Sequence, residues 1–140
     1  MLNILSGYTT ANIKSYEFKA GAQLEPGDWV VFDTTDGTLI KQTGAYDIVT
    51  QGAAFPVYQN NVTAYDNRVL GRVDVVTANS GVLETNKIAA VSFAPGNALT
   101  IKDGVLARAT PATESAAASP IIGFVVKYDA AKKLVQFVLN

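Results

Sequence analysis

Apolar residues along this chain come in short runs, and nowhere do they recur at i, i+3, i+4 and i+7 for three turns. Short apolar runs bounded by Gly, Pro, Asn and Asp are the pattern of strands and tight turns. Glu25-Pro26-Gly27-Asp28 reads as a turn, because Pro presets φ and Gly accepts a positive φ. Trp29-Val30-Val31-Phe32 follows, apolar at every position, as in a strand buried on both faces. Asp36-Gly37 predicts a tight hairpin into Thr38-Leu39-Ile40-Lys41-Gln42. Further strands are expected over residues 69–76, 87–93 and 98–102. A second Asp-Gly turn, at Asp103-Gly104, leads into a strand over residues 105–108. A last hairpin joins residues 121–127 to 134–139 across Asp129-Ala130-Ala131-Lys132. Helix is limited to a short piece within residues 46–51 or 113–118. The expected fold is all-β, a small β-sandwich or β-barrel.

The first residues break this pattern. Residues 1–19 carry Leu2, Ile4, Leu5, Tyr8, Ile13, Tyr16 and Phe18 among Thr, Asn and Ser, without a sustained period. They read as an extended N-terminal arm preceding a β-rich domain over residues 20–140. A first strand with a frayed end is the other reading. A free solvated tail is not normally this apolar, so these seven side chains are the candidate contacts with a partner, and an arm of this kind can add a strand to a neighbour's sheet edge. Two stretches read as long loops: residues 44–67, rich in Gln, Asn and Tyr, and residues 110–120, rich in Ala, Thr and Ser. The run from Asp36 to Thr43 echoes that from Asp103 to Thr110 at Asp, Gly, Leu and Thr. Two related β units would give that echo, and so would the general recurrence of Asp-Gly hairpins.

Composition sharpens the partner question. Of 140 residues, 49% are hydrophobic and only 16% charged, against a usual charged share of about 25%. A domain of this size cannot hide all of that apolar surface within itself, which points to assembly, a trimer above all. The net charge is −1, and the basic residues never exceed two in a row, so nucleic acid is not the expected partner. No apolar run approaches the length of a membrane span, and no membrane partner is expected. The opening residues do not read as a signal peptide, and the chain is expected to be unprocessed.

Chemistry is sparse. With no Cys and no His, thiol catalysis, Ser-His-Asp arrangements and the usual zinc sites are excluded. Asp33, Asp36 and Asp103 sit at turns, where carboxylates serve the backbone and lack the burial that raises an acid's pKa. Residues 33–37 lack calcium-loop spacing, and no Gly-rich phosphate loop occurs. The chain is therefore expected to be no enzyme and to hold no cofactor or metal. Tyr46, Tyr58 and Tyr65 with Gln59, Asn60 and Asn61 form a set on which a sugar could stack.

Three stretches carry a family resemblance: Leu24-Glu25-Pro26-Gly27-Asp28-Trp29-Val30-Val31-Phe32-Asp33, then residues 95–106 from Pro95-Gly96-Asn97 to Val105-Leu106, then Ile121-Ile122-Gly123-Phe124-Val125-Val126. With the length, low charge, lack of Cys and β-rich texture, the chain resembles small bacteriophage head decoration, or cement, proteins. The resemblance implies a homotrimer on the outer surface of the major capsid protein shell, stabilising the head against packaged DNA. It implies location on the virion after synthesis in the host cytoplasm, and neither a cofactor nor a catalytic residue. The alternative reading is a carbohydrate-binding adhesin or tail-fibre module.

Overall fold

The computed structural model describes residues 1–6, 12–58, 71–77 and 81–140. Strands β1 (Leu2–Ser6), β7 (Val82–Thr85), β8 (Ala98–Lys102), β9 (Val105–Arg108), β10 (Gly123–Asp129) and β11 (Leu134–Leu139) form one antiparallel sheet in the order β1-β7-β11-β10-β8-β9. Strands β3 (Trp29–Phe32), β4 (Leu39–Lys41) and β5 (Ala54–Pro56) form a second, with β3 in the middle. Strands β2 (Ile13–Glu17) and β6 (Arg72–Val76) pair as a ribbon. One helix, α1 (Ile48–Gln51), is capped by the Asp47 carboxylate, which accepts the Val49 N–H. The fold is nearly all β, as expected. Isolated bridges at Phe18–Leu39 and Val57–Val75 tie the ribbon to the three-stranded sheet, but the sheets do not close into a barrel.

Strand β3 explains the layering. Successive side chains of a strand point to opposite faces, and all four here are apolar. Trp29 and Val31 enter a core shared with Leu83, Leu99, Ile101, Val125, Val135 and Phe137 of the six-stranded sheet. Val30 enters a second core with Leu39, Val57 and Val75, against which Tyr16, Phe32 and Phe55 pack. Those three rings meet at centroid distances of 5.3, 5.9 and 6.0 Å, within the range of favourable aromatic pairs. The strand is buried on both sides, as its unbroken apolar run implies.

The two Asp-Gly turns differ. The first lies in a loop over residues 33–38, closed by the Gly37 N–H on the Asp33 carbonyl, so the β3–β4 hairpin is longer and looser than a two-residue turn. The second joins β8 to β9 through Asp103 and Gly104 alone, with φ of 51° and 77°, the left-handed pair that a type I′ hairpin needs. This tip docks on the other sheet. The Trp29 N–H donates to the Gly104 carbonyl (2.9 Å), the Asp103 N–H to the Gly44 carbonyl (3.0 Å), and the Gly44 N–H to Asp103 Oδ1 (2.7 Å). The buried Gln42 side chain completes the joint. Its Oε1 accepts the Gly104 N–H at 2.8 Å, and its Nε2 donates to the Thr43 and Gly44 carbonyls at 3.0 and 2.9 Å. Gly104 holds φ at 77°, which strains any side chain, and a Cβ there would also crowd Lys41 Cγ at 2.9 Å and the Gln42 carbonyl at 3.2 Å.

The described residues among 1–19 do not form a free arm. Leu2 is fully buried in the main core, and β1 pairs with β7 through Leu2–Thr85, Asn3–Glu84 and Ile4–Leu83. Residues 13–17 pair with β6 instead. The physical reason is burial: Leu2 and Ile4 share a face of an edge strand, and Tyr16 and Phe18 complete the second core. The strand expected over residues 87–93 is also absent, since only Ile88 bridges, to Leu106, and the Val91 N–H turns back to the Ala89 carbonyl. Residues 113–118 hold no helix. Instead Thr110 and Ser119 clamp the base of an exposed loop, the Thr110 N–H donating to Ser119 Oγ and the Ser119 N–H to the Thr110 carbonyl, both at 3.0 Å.

Two outcomes in denaturant unfolding follow. Gln42→Leu strands the buried Gly104 N–H and is expected to lower stability by about 1–3 kcal/mol. Leu2→Ala is expected to cost about 2–4 kcal/mol as a core truncation, while Leu5→Ala, at a side chain 46% exposed, should stay within about 0.5 kcal/mol. Equal small effects at both positions would mean that β1 does not belong to the core.

Candidate interaction surface

The seven candidate contact residues separate by burial. Leu2 is core, Ile4 is half-buried against it, and Tyr16 and Phe18 pack on the second core. Ile13 is half-buried in β2, and Tyr8 lies outside the described residues. Leu5 alone of the set is plainly open to a partner. Other large apolar side chains are more exposed or comparable: Val49 (88%) and Ile48 (57%) on α1, Val91, and the group Ile121, Phe124 and Val126 leading into and along β10. Sequence reasoning missed these because an exposed valine in a strand reads the same as a buried one. Val126 is exposed where β10 and β11 slip register between Val125 and Lys127, since a bulge re-aims the side chain it carries.

Part of this apolar surface surrounds a cleft. It opens where α1 and β5 face the residues before β10 and after β11, and its volume is about 300 Å³. Trp29, Tyr46, Phe55, Val76, Ile122 and Leu139 are among its lining residues, and Ile48 and Ile121 stand at its lip. Among the described residues no Asp, Glu, Lys or Arg side chain lines it. Tyr46 is held by its hydroxyl, which donates to the Gly52 carbonyl at 2.5 Å.

The residues considered for sugar binding do not assemble a platform among the described residues. Tyr46 is buried, Tyr58 packs half-buried on the main core, and Gln59, Asn60, Asn61 and Tyr65 lie outside the described residues.

Charged side chains gather elsewhere. The Asp28 carboxylate is only 2% exposed. Its Oδ2 accepts the Glu25 N–H at 2.9 Å, while Oδ1 has Lys41 and Lys87 ammonium groups at 3.4 and 3.6 Å and no hydrogen bond. Lys87 also reaches Glu25 Oε2 at 2.6 Å, which raises the Lys87 pKa and lowers that of Glu25. Two cations thus offset the cost of burying Asp28, as an isolated buried charge requires. The turn carboxylates hold their loops. Asp33 accepts from the Lys19 ammonium and from the Thr35 hydroxyl and N–H, Asp36 from the Thr38 hydroxyl and N–H. These bonds keep the Asp33 carboxyl well below the usual carboxylate range, Lys19 being the largest cause, and lower Asp36 through Thr38. A general acid needs the opposite shift. Among the described residues no three Asp or Glu side chains gather at metal-binding distance, and no helix is long and apolar enough to cross a membrane.

No family model, curated protein or solved structure matches this chain.

The Asp33 shift makes a pH prediction. A carboxyl whose pKa falls on folding contributes stability above its unfolded value of about 3.9, and that contribution is lost as pH falls toward the folded value. Asp33→Asn should therefore be less stable than the parent at neutral pH, and the gap should narrow steadily below about pH 4. Because the Lys19 partner is half exposed, high salt should narrow the gap as well. Thermal melts across pH and salt measure both; a gap as large at pH 2 as at neutral pH would show that the loss comes from something other than the charge.

Proposed function

We propose that this chain is a structural protein of a bacteriophage head, a decoration protein that binds the outer surface of the major capsid protein shell as a homotrimer and stabilises it. The observation that supports this reading most is the combination of a rigid two-core β body with large apolar side chains left on its surface, from α1 to β10. Exposed apolar groups rimmed by polar ones mark protein contacts. A shell offers the same contact many times, so modest individual contacts become strong together. The stretches that carry the family resemblance are structured ones: the turn into β3, the β8–β9 hairpin and the start of β10. The reading places the protein on the virion after synthesis in the host cytoplasm, and it calls for no catalytic residue, cofactor, nucleic acid or membrane. Contact runs through the folded body, with Leu5 the member of the original set best placed to take part.

Light scattering at micromolar concentration is expected to give three times the 14.8 kDa chain mass, and the purified chain should co-sediment with capsid shells that lack it. A monomer throughout the concentration range, or no binding to such shells, would count against the reading. Saturable binding to soluble sugars would favour the adhesin or tail-fibre module instead.

A further inference from the structure

The cleft between the two sheets has a chemistry of its own. Among the described residues its lining includes three aromatic rings and several branched aliphatic side chains, with Thr77 and Asn140 beside them, but no Asp, Glu, Lys or Arg side chain, so a charged side chain entering it would find no oppositely charged side chain to offset its lost hydration. Its volume of about 300 Å³ is at the small end of ligand pockets. The lip keeps Ile48 and Ile121 in water, 57% and 45% exposed, and this apolar surface an occupant would cover.

Trp29 adds a polar requirement. It is 2% exposed and lines the cleft, and no described group accepts a hydrogen bond from its indole N–H. Buried indoles usually find an acceptor, and an indole at a cleft with none among the described residues is a place where an incoming carbonyl gains a hydrogen bond.

We propose that this cleft is an anchor site for one neutral apolar side chain of a partner protein, of leucine to phenylalanine size, with a main-chain carbonyl as acceptor for the Trp29 indole. An apolar anchor in a desolvated pocket with one placed polar contact is the usual composition of an interface hot spot. The partner being a protein rests on the reading given above; the test needs no capsid, so the two can fail separately.

Trp29 is the single tryptophan of the chain, so its fluorescence reports on the cleft directly. The probes are N-acetyl-phenylalanine methylamide and N-acetyl-leucine methylamide, with the lysine and aspartate analogues as charged controls and toluene as an apolar ligand lacking a carbonyl. The two apolar amides should shift the emission saturably, with dissociation constants on the order of 1–10 mM as suits so few atoms. The charged amides should bind at least tenfold more weakly, and toluene more weakly than the phenylalanine amide. Ala53→Phe, at an exposed residue of the lining, should fill the space and weaken binding at least tenfold while leaving the melting temperature unchanged. Ile121→Ser at the lip should weaken it severalfold. No saturable shift with the apolar amides overturns the proposal, as does undiminished binding to Ala53→Phe. Toluene binding as tightly as the amide would make the site one for free lipophiles. An emission shift that follows protein concentration without any probe would make the occupant a second copy of the chain. Either result overturns the protein side-chain anchor.

Discussion

The docking of one hairpin tip holds the two main sheets in register. Asp103 and Gly104 reach across from β8 and β9 and share main-chain hydrogen bonds with Trp29 and Gly44. Gln42 fills the remaining space with a fully buried amide whose oxygen and nitrogen both have partners. A buried amide is costly when half satisfied and specifying when satisfied. Any sliding of the sheets breaks several of these bonds at once, so the relative position of the two sheets is set by polar geometry, and the apolar core fills in around it.

From that joint the remaining burial follows. With Trp29 fixed by its N–H on Gly104, its side chain and that of Val31 must face the six-stranded sheet, and Val30 must face away. The second core then needs a cover, which β2 and β6 supply. Asp28, one residue before Trp29, is carried into the interior at the same place, and Lys41 and Lys87 supply the compensating charge from β4 and from the segment after β7. The cleft opens where this packing runs out, and it differs from the Asp28 cluster in its chemistry: the cluster is built of charged side chains, and among the described residues the cleft has none.

Much of this was legible from residue order. The unbroken apolar run Trp29-Val30-Val31-Phe32 signalled a strand with two buried faces, and Asp103-Gly104 signalled a two-residue turn, because in both cases local chemistry and final environment agree. Strand β1 was legible only as one of two readings, because Leu5 faces outward beside the inward Ile4, which spoils the alternation that marks a half-buried strand. Strand β7, with Val82, Leu83, Glu84 and Thr85, is short, and its place was given to residues 87–93, where Ile88, Val91 and Phe93 have strand-like composition but only one bridge. Tertiary context decided both. The candidate surface was least legible of all: exposure of Val49 or Phe124 depends on which face the sheets leave uncovered, and no single-residue property encodes that.

The clamped loop between Thr110 and Ser119 has a consequence for how the chain can change. Its two ends are already bonded to each other, and residues 111–118 touch water throughout. Lengthening such a loop adds only a logarithmic closure cost, about 0.6 kcal/mol for each doubling. The body on either side need not adjust, because β9 ends and β10 begins outside the clamp. Evolution, or a protein engineer, can therefore graft new sequence between those two hydroxyl residues and have every copy of the molecule carry it outward as cargo.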